Sequence, residues 1–110
     1  MVRRTFALNL DLNEDIIKDK LWAVQGEEGS TALLIIPVLD GSPLPIEYAL
    51  QLKCVRKDGV EELVDIVESI AVIPDTMYAK SGIVKMLVVA ESVDNIIKSA
   101  PFDFNILDEI

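Results

Sequence analysis

From Thr5 to Leu12 the chain reads TFALNLDL, with Phe6, Leu8, Leu10 and Leu12 on one parity and Thr5, Ala7, Asn9 and Asp11 on the other. A period of two sends the two sets to opposite faces of an extended backbone, the pattern of a half-buried strand. Nothing later in the chain offers a competing period. No stretch of about 10 to 15 residues carries the 3.6-residue repeat of a helix, and turn signals interrupt the apolar runs every 8 to 12 residues or so. This spacing predicts an all-β chain of about seven or eight short strands, folded as an antiparallel Ig-like β-sandwich or a small barrel.

The segments follow in order. Asn13, Glu14 and Asp15 break the first strand, Trp22-Ala23-Val24 forms a short second one, and Gly26-Glu27-Glu28-Gly29-Ser30 ends it. Thr31 to Val38 is apolar on both parities and reads as a strand covered on both faces. Pro37 places it at an edge or a bulge, because proline cannot donate to a ladder. After the Asp40-Gly41-Ser42-Pro43 turn, alternation resumes with Tyr48, Leu50, Leu52 and Cys54 on one face. Pro74 to Tyr78 allows at most one short helical turn, near residues 75–79. Gly82 opens an apolar strand to Ala90, and Ile96 to Leu107 closes the chain with Phe102, Phe104 and Ile106 on one side. With no repeat or linker in between, residues 1–110 are expected to form a single domain.

The stretch LQLKCVRKDGVEELVDIV, residues 50 to 67, has to turn back on itself. A two-residue loop at Asp58-Gly59 would set Leu52 against Asp65 and Cys54 against Leu63, mixing charged and apolar partners. A three-residue loop, Lys57-Asp58-Gly59, sets Leu50 against Ile66, Leu52 against Val64, and Gln51 against Asp65. The second register keeps the apolar set together, with Gly59 supplying the positive φ of a bulge. Asp58 and Gly59 are therefore a structural turn.

Charge and composition narrow the function. Hydrophobic residues make up 51% of the chain, ample for a core, while the longest apolar run, Ala32 to Leu39, is far short of a membrane span of about 20 residues. No secretory signal pattern opens the sequence, so synthesis in a cytoplasm and no membrane association are expected. Nineteen acidic residues against 10 basic ones give a net charge of −9, which repels phosphate backbones and argues against nucleic-acid binding. Cys54 stands alone and can form no internal disulfide. There is no histidine, so the commonest general base and metal ligand is missing. Asp11, Asn13 and Asp15 mimic the start of a calcium loop, but Ile16 replaces its glycine and Trp22 its closing glutamate. The pairs Glu27-Glu28 and Glu61-Glu62 point to opposite faces of a strand and cannot converge on one atom. No catalytic residue, cofactor or metal site is expected. Of the aromatic residues, only Trp22 and Tyr78 are left free by strand parity to serve as a glycan platform.

The order of these signals resembles a known family. TFALNLDLNED, VQGEEGSTALLIIPVLDGSPLPI, YALQLKCVRKDGVEE, SGIVKMLVV and IIKSAPFDFNILDEI, taken together, are similar to the N-terminal domain of phage baseplate upper proteins. The matching residues are Gln25-Gly26-Glu27, Gly41-Ser42-Pro43, Lys57-Asp58-Gly59, Gly82 and Phe102-Asp103-Phe104. The family often has proline before its Asp-Gly turn, where this chain has Lys57, and Gly-Asp in the early turn, where it has Gly26-Glu27.

The resemblance implies a non-enzymatic adaptor of a phage or prophage tail baseplate, docking the host-recognition apparatus by protein–protein contact. It implies other tail and baseplate proteins as partners, a homo-oligomer such as a trimer, and a place in the virion after synthesis in the bacterial cytoplasm. Trp22, Leu33 and Ile35 on the early strands, and Val55 and Leu63 on the outer face of the hairpin, are the candidate interface residues. The alternative is a bacterial adhesin-like or carbohydrate-binding sandwich working through Trp22.

Overall fold

A computed structural model describes residues 3–14 and 20–110. It contains ten strand segments: β1 (Arg4–Asp11), β2 (Leu21–Val24), β3 (Thr31–Leu39), β4 (Ser42–Pro43), β5 (Ala49–Val55), β6 (Glu61–Asp65), β7 (Ile70–Val72), β8 (Gly82–Glu91), β9 (Ile96–Lys98) and β10 (Phe102–Leu107). One 3-10 turn spans Asp75–Tyr78, where a single helical turn is expected. The first sheet runs β1-β3-β4 with β7 also beside β3, and the second runs β2-β10-β8-β5-β6 with β9 beside β8. Neither sheet closes on itself, and their inner faces share one buried cluster. The architecture is a β-sandwich, not a barrel.

Alternation in β1 sends Leu8 and Leu10 into the core and leaves Thr5, Ala7 and Asn9 exposed. The sheets are mixed, however, where antiparallel pairing is expected throughout. β1 lies parallel to β3, with Phe6 beside Leu33 and Leu8 beside Ile35, and β2 lies parallel to β10. Alternation reports which face a side chain takes and is silent on strand direction. The chain leaves the first sheet after β1, adds β2 to the second, and returns to lay β3 alongside β1 in the same sense.

Pro37 sits in an inner strand, not at an edge. Leu12 N donates to Val38 O (2.8 Å), so Val38 faces β1, whereas Ile35 N donates to Ser69 O and Leu44 N donates to Pro37 O on the opposite side. There β7 has ended at Ile70 and β4 begins only opposite Val38. Proline occupies the one gap in the ladder where no donor is missed.

Turn chemistry fixes the hairpins. Between β5 and β6 the pairs are Gln51–Asp65, Leu52–Val64, Lys53–Leu63 and Cys54–Glu62, the three-residue register. Arg56 N donates to Val60 O across the loop mouth, and Gly59 takes φ +93°. Asp40 and Gly41 form a two-residue turn with φ of 51° and 81°, the mirror-type turn that suits right-twisted strands. Glu68 and Ser69 form another (51° and 68°) without any glycine. At the end of β1, Asn13 N donates to Asp11 Oδ1, while Asp15 lies outside the described residues.

The closing segment is one line of chain interrupted once. Lys98 stands opposite Val89 and Phe102 opposite Met86, so three residues face two across β8 and form a bulge at Ser99-Ala100-Pro101. Ser99 is buried, and its Oγ accepts the Val88 N–H that the ladder would otherwise pair.

Candidate interaction surface

Strand parity decides which residues reach solvent. Leu52 and Cys54 of β5, Val84, Met86 and Val88 of β8, and Phe104 and Ile106 of β10 all point inward. The opposite parity forms the outer face of the second sheet and carries three of the expected interface residues. Leu63 is 59% exposed, Trp22 is 39% exposed, and Val55 is half-buried. Leu63 and Val55 lie either side of Lys53, which pairs with Glu61 at 2.9 Å. Trp22 shares a shallow depression with Ile83, Leu107, Asp103 and Asn105. The charged pairs Lys53–Glu61 and Lys85–Asp103 interrupt the apolar side chains, so this face is a mosaic and not a continuous patch.

Leu33 and Ile35 do not belong to any surface. Both are fully buried, because the parallel register with β1 aligns them with Phe6 and Leu8 and all four share the inner face. The surplus apolar surface of β3 lies on the other parity, at half-buried Leu34 and exposed Ile36, next to half-buried Ile70 of β7. Tyr78 is likewise fully buried, which removes it as a glycan platform. Its hydroxyl has no hydrogen-bond partner among the described residues.

Two arginines organise one end of the sandwich. Arg4 grips Glu27 with both terminal nitrogens (3.1 and 3.2 Å) and donates also to Thr31 Oγ1, while its guanidinium lies 4.0 Å from the centre of the Trp22 ring. Phe6 meets the same indole edge-on at 6.5 Å. Glu27 in turn accepts the Val24 N–H, and Arg4 holds its carboxyl below the usual glutamate range. Arg56 forms a two-pronged pair with Asp58 and donates to Thr76 O (2.9 Å), and Lys80 reaches Asp58 at 3.2 Å. Thr76 also donates to Glu62. The Arg56 guanidinium, followed by Lys80, keeps the Asp58 carboxyl far below its ordinary value. The hairpin tip is thus clamped to the 3-10 turn, a role that local sequence does not reveal. Burial pushes the Cys54 thiol up to about 12, with Glu62 adding to the effect, so the sulfur stays a protonated packing group.

The opposite end is built differently. The stretches 44–51 and 65–69, with Val89 and Glu91 of β8, surround an open cleft of about 650 Å³, lined by Leu44, Ile46, Leu50, Ile66 and Val67 among others. Ile46 is fully exposed at its lip and Val67 is 64% exposed. Val93, fully exposed, and Ile96 crown the neighbouring β8–β9 turn. Among the described residues the side-chain ties here involve no ion pair: Tyr48 Oη donates to Asn95 Oδ1 (2.7 Å), Asn13 Nδ2 to Asp40 Oδ1 (2.6 Å), Gln51 Nε2 to Asp65 Oδ1 (3.0 Å) and Ser92 Oγ to Asn95 Oδ1 (2.8 Å). Sequence reasoning missed Ile46. Ile46 shares the inward parity of Tyr48, Leu50 and Leu52, and alternation is expected to resume from it, but β5 begins only at Ala49 and leaves Ile46 outside the ladder.

Carboxylates, amides and apolar groups exposed in this way can bind another surface. Among the described residues there is no group of three or more His, Cys, Asp or Glu that could hold a metal ion, and no helix long and apolar enough to cross a membrane. No protein-family model matches the chain, and no curated protein matches it. Among solved structures, the chain is similar in fold to the "N-terminal domain of phage TP901-1 ORF48", with a TM-score of 0.72 and 13% sequence identity over 96% of this chain and 98% of that one.

Proposed function

We propose that this chain is a structural module of a phage or prophage tail baseplate, joining the host-recognition apparatus to the tail through protein–protein contact. The supporting observation is the likeness over 96% of the chain to an N-terminal domain of a phage protein, reached independently of the short motifs that resemble baseplate upper proteins. The module's partners are other tail and baseplate proteins, its place is the virion, and it assembles in several copies, such as a trimer. No chemistry is assigned to it: it works by shape and surface.

Light scattering tests this reading, first on the purified chain and then on mixtures with the tail proteins encoded beside it. Formation of a defined complex is the expected result. A monomer that joins none of them would overturn the adaptor role. The glycan-binding alternative loses ground at Trp22, since Arg4 covers one face of the ring and Phe6 abuts its edge. Glycan binding that vanishes in Trp22→Ala would restore it.

A further inference from the structure

The cleft between segments 44–48 and 66–70 has an apolar floor and an acidic margin. Leu44, Leu50 and Ile66 are half-buried in it, while Ile46 and Val67 project from its lip into water. Asp65, Glu68 and Glu91 are the charged residues of the lining, which contains no lysine or arginine. None of the three makes an ion pair among the described residues, and the only polar partner of Asp65 there is the Gln51 amide at 3.0 Å. Outside the lining, Lys98 of β9 stands opposite Val89, and Lys53 follows Gln51 by two residues on β5, where it pairs with Glu61. Glu68 is fixed at the rim by the tight turn in which Val67 and Ile70 exchange backbone hydrogen bonds.

We propose that this cleft receives a basic segment of a partner protein, one in which leucine, isoleucine or phenylalanine side chains are flanked by lysine or arginine. Apolar side chains held in water gain free energy when a partner buries them. Three unpaired carboxylates around them select a cationic occupant and reject an anionic one. A second copy of this chain is a poor fit, because it would bring the same three carboxylates, and a net charge of −9, against the rim. The inference rests on the adaptor reading only in taking the occupant to be a protein.

The probe is a fluorescent synthetic peptide of alternating leucine and lysine, compared with leucine–glutamate and serine–lysine versions, titrated into the full chain and followed by anisotropy and amide NMR. The leucine–lysine peptide should bind and shift the amides of Ile46, Val67, Glu68 and Glu91. Affinity should fall at least tenfold in an Ile46→Ser/Val67→Ser double variant, whose exposed positions leave the core intact. In Glu68→Gln/Glu91→Gln it should fall several-fold and lose most of its salt dependence. Equal binding of the leucine–glutamate peptide, shifts confined to other faces, or self-association abolished by Ile46→Ser would each overturn the proposal. The same double variant separates this inference from the adaptor role. A complex with the neighbouring tail proteins that forms unweakened by it removes the cleft and leaves the adaptor. If no complex forms with any variant, the adaptor reading falls and the peptide titration still decides the cleft.

Discussion

The two ends of this sandwich hold their loops by different physics. At one end, Arg4 links Glu27, Thr31 and Trp22, Arg56 links Asp58 and Thr76, and Asp75 accepts the Gly29 N–H, so four separate stretches of chain are cross-tied. At the other, Ile46, Val67, Val93 and Ile96 stand in solvent, and among the described residues the side-chain bonds, such as Tyr48 to Asn95 and Asn13 to Asp40, include no ion pair. Charge-assisted bonds cost little when both partners are present and much when one is lost, whereas an exposed apolar side chain contributes almost nothing to the isolated fold. The tied end is therefore where stability is concentrated. The bare end is where a partner has something to gain.

The widest gap between the ends should appear on substitution. Arg4→Ala removes the charged partner of a partly buried carboxylate and one of two partners of the buried Thr31 hydroxyl, and should cost about 2 kcal/mol in urea unfolding. Ile46→Ser should stay within about 0.5 kcal/mol of the parent. Equal losses would erase the distinction. Gly59→Val comes next, since φ +93° excludes a β-branched residue, with an expected loss of about 2 kcal/mol; an unchanged melting temperature would refute the bulge.

Acid should unfasten the tied end selectively. The Glu27 carboxyl is held below its ordinary value in the folded chain, so its contribution is complete above about pH 5 and is lost as pH falls below the usual glutamate value of about 4.3. Glu27→Gln should flatten that part of the stability–pH curve, and a curve of unchanged shape would show that the pair contributes nothing. The smallest effects are gains. Tyr78→Phe removes a buried hydroxyl without a partner and should stabilise the tied end by up to about 1 kcal/mol. Ser69→Gly relieves a left-handed serine at the bare end and should give a similar or smaller gain, roughly 0.5 to 1 kcal/mol.

The hairpin at Lys57-Asp58-Gly59 could be read in advance because turn chemistry and apolar pairing select the same register. In β3 that second constraint is missing. Thr31 to Val38 is apolar on both parities, so nothing local separates Leu33 and Ile35 from Leu34 and Ile36; the pairing with β1, far upstream, makes the choice. Arg4 was illegible for a similar reason, since its partners Trp22, Glu27 and Thr31 meet only once both sheets are in place. The parallel ladders left no trace either, because a side-chain period of two is the same in both senses. Of the surface, Val55, Leu63 and Trp22 could be placed by parity. The cleft at Ile46 could not, because it is made by two loops and the ends of three strands, which share no local pattern.

The pairing of Leu21 with Phe104 has a bearing on how the molecule is made. Among the described residues β2 finds its ladder only on β10, so this edge of the second sheet stays unformed until Phe102–Leu107 has left the ribosome. Contacts of such long sequence separation close slowly. A nascent chain halted before Phe102 should therefore remain open to proteases, and one extended past Leu107 should acquire resistance in a single step.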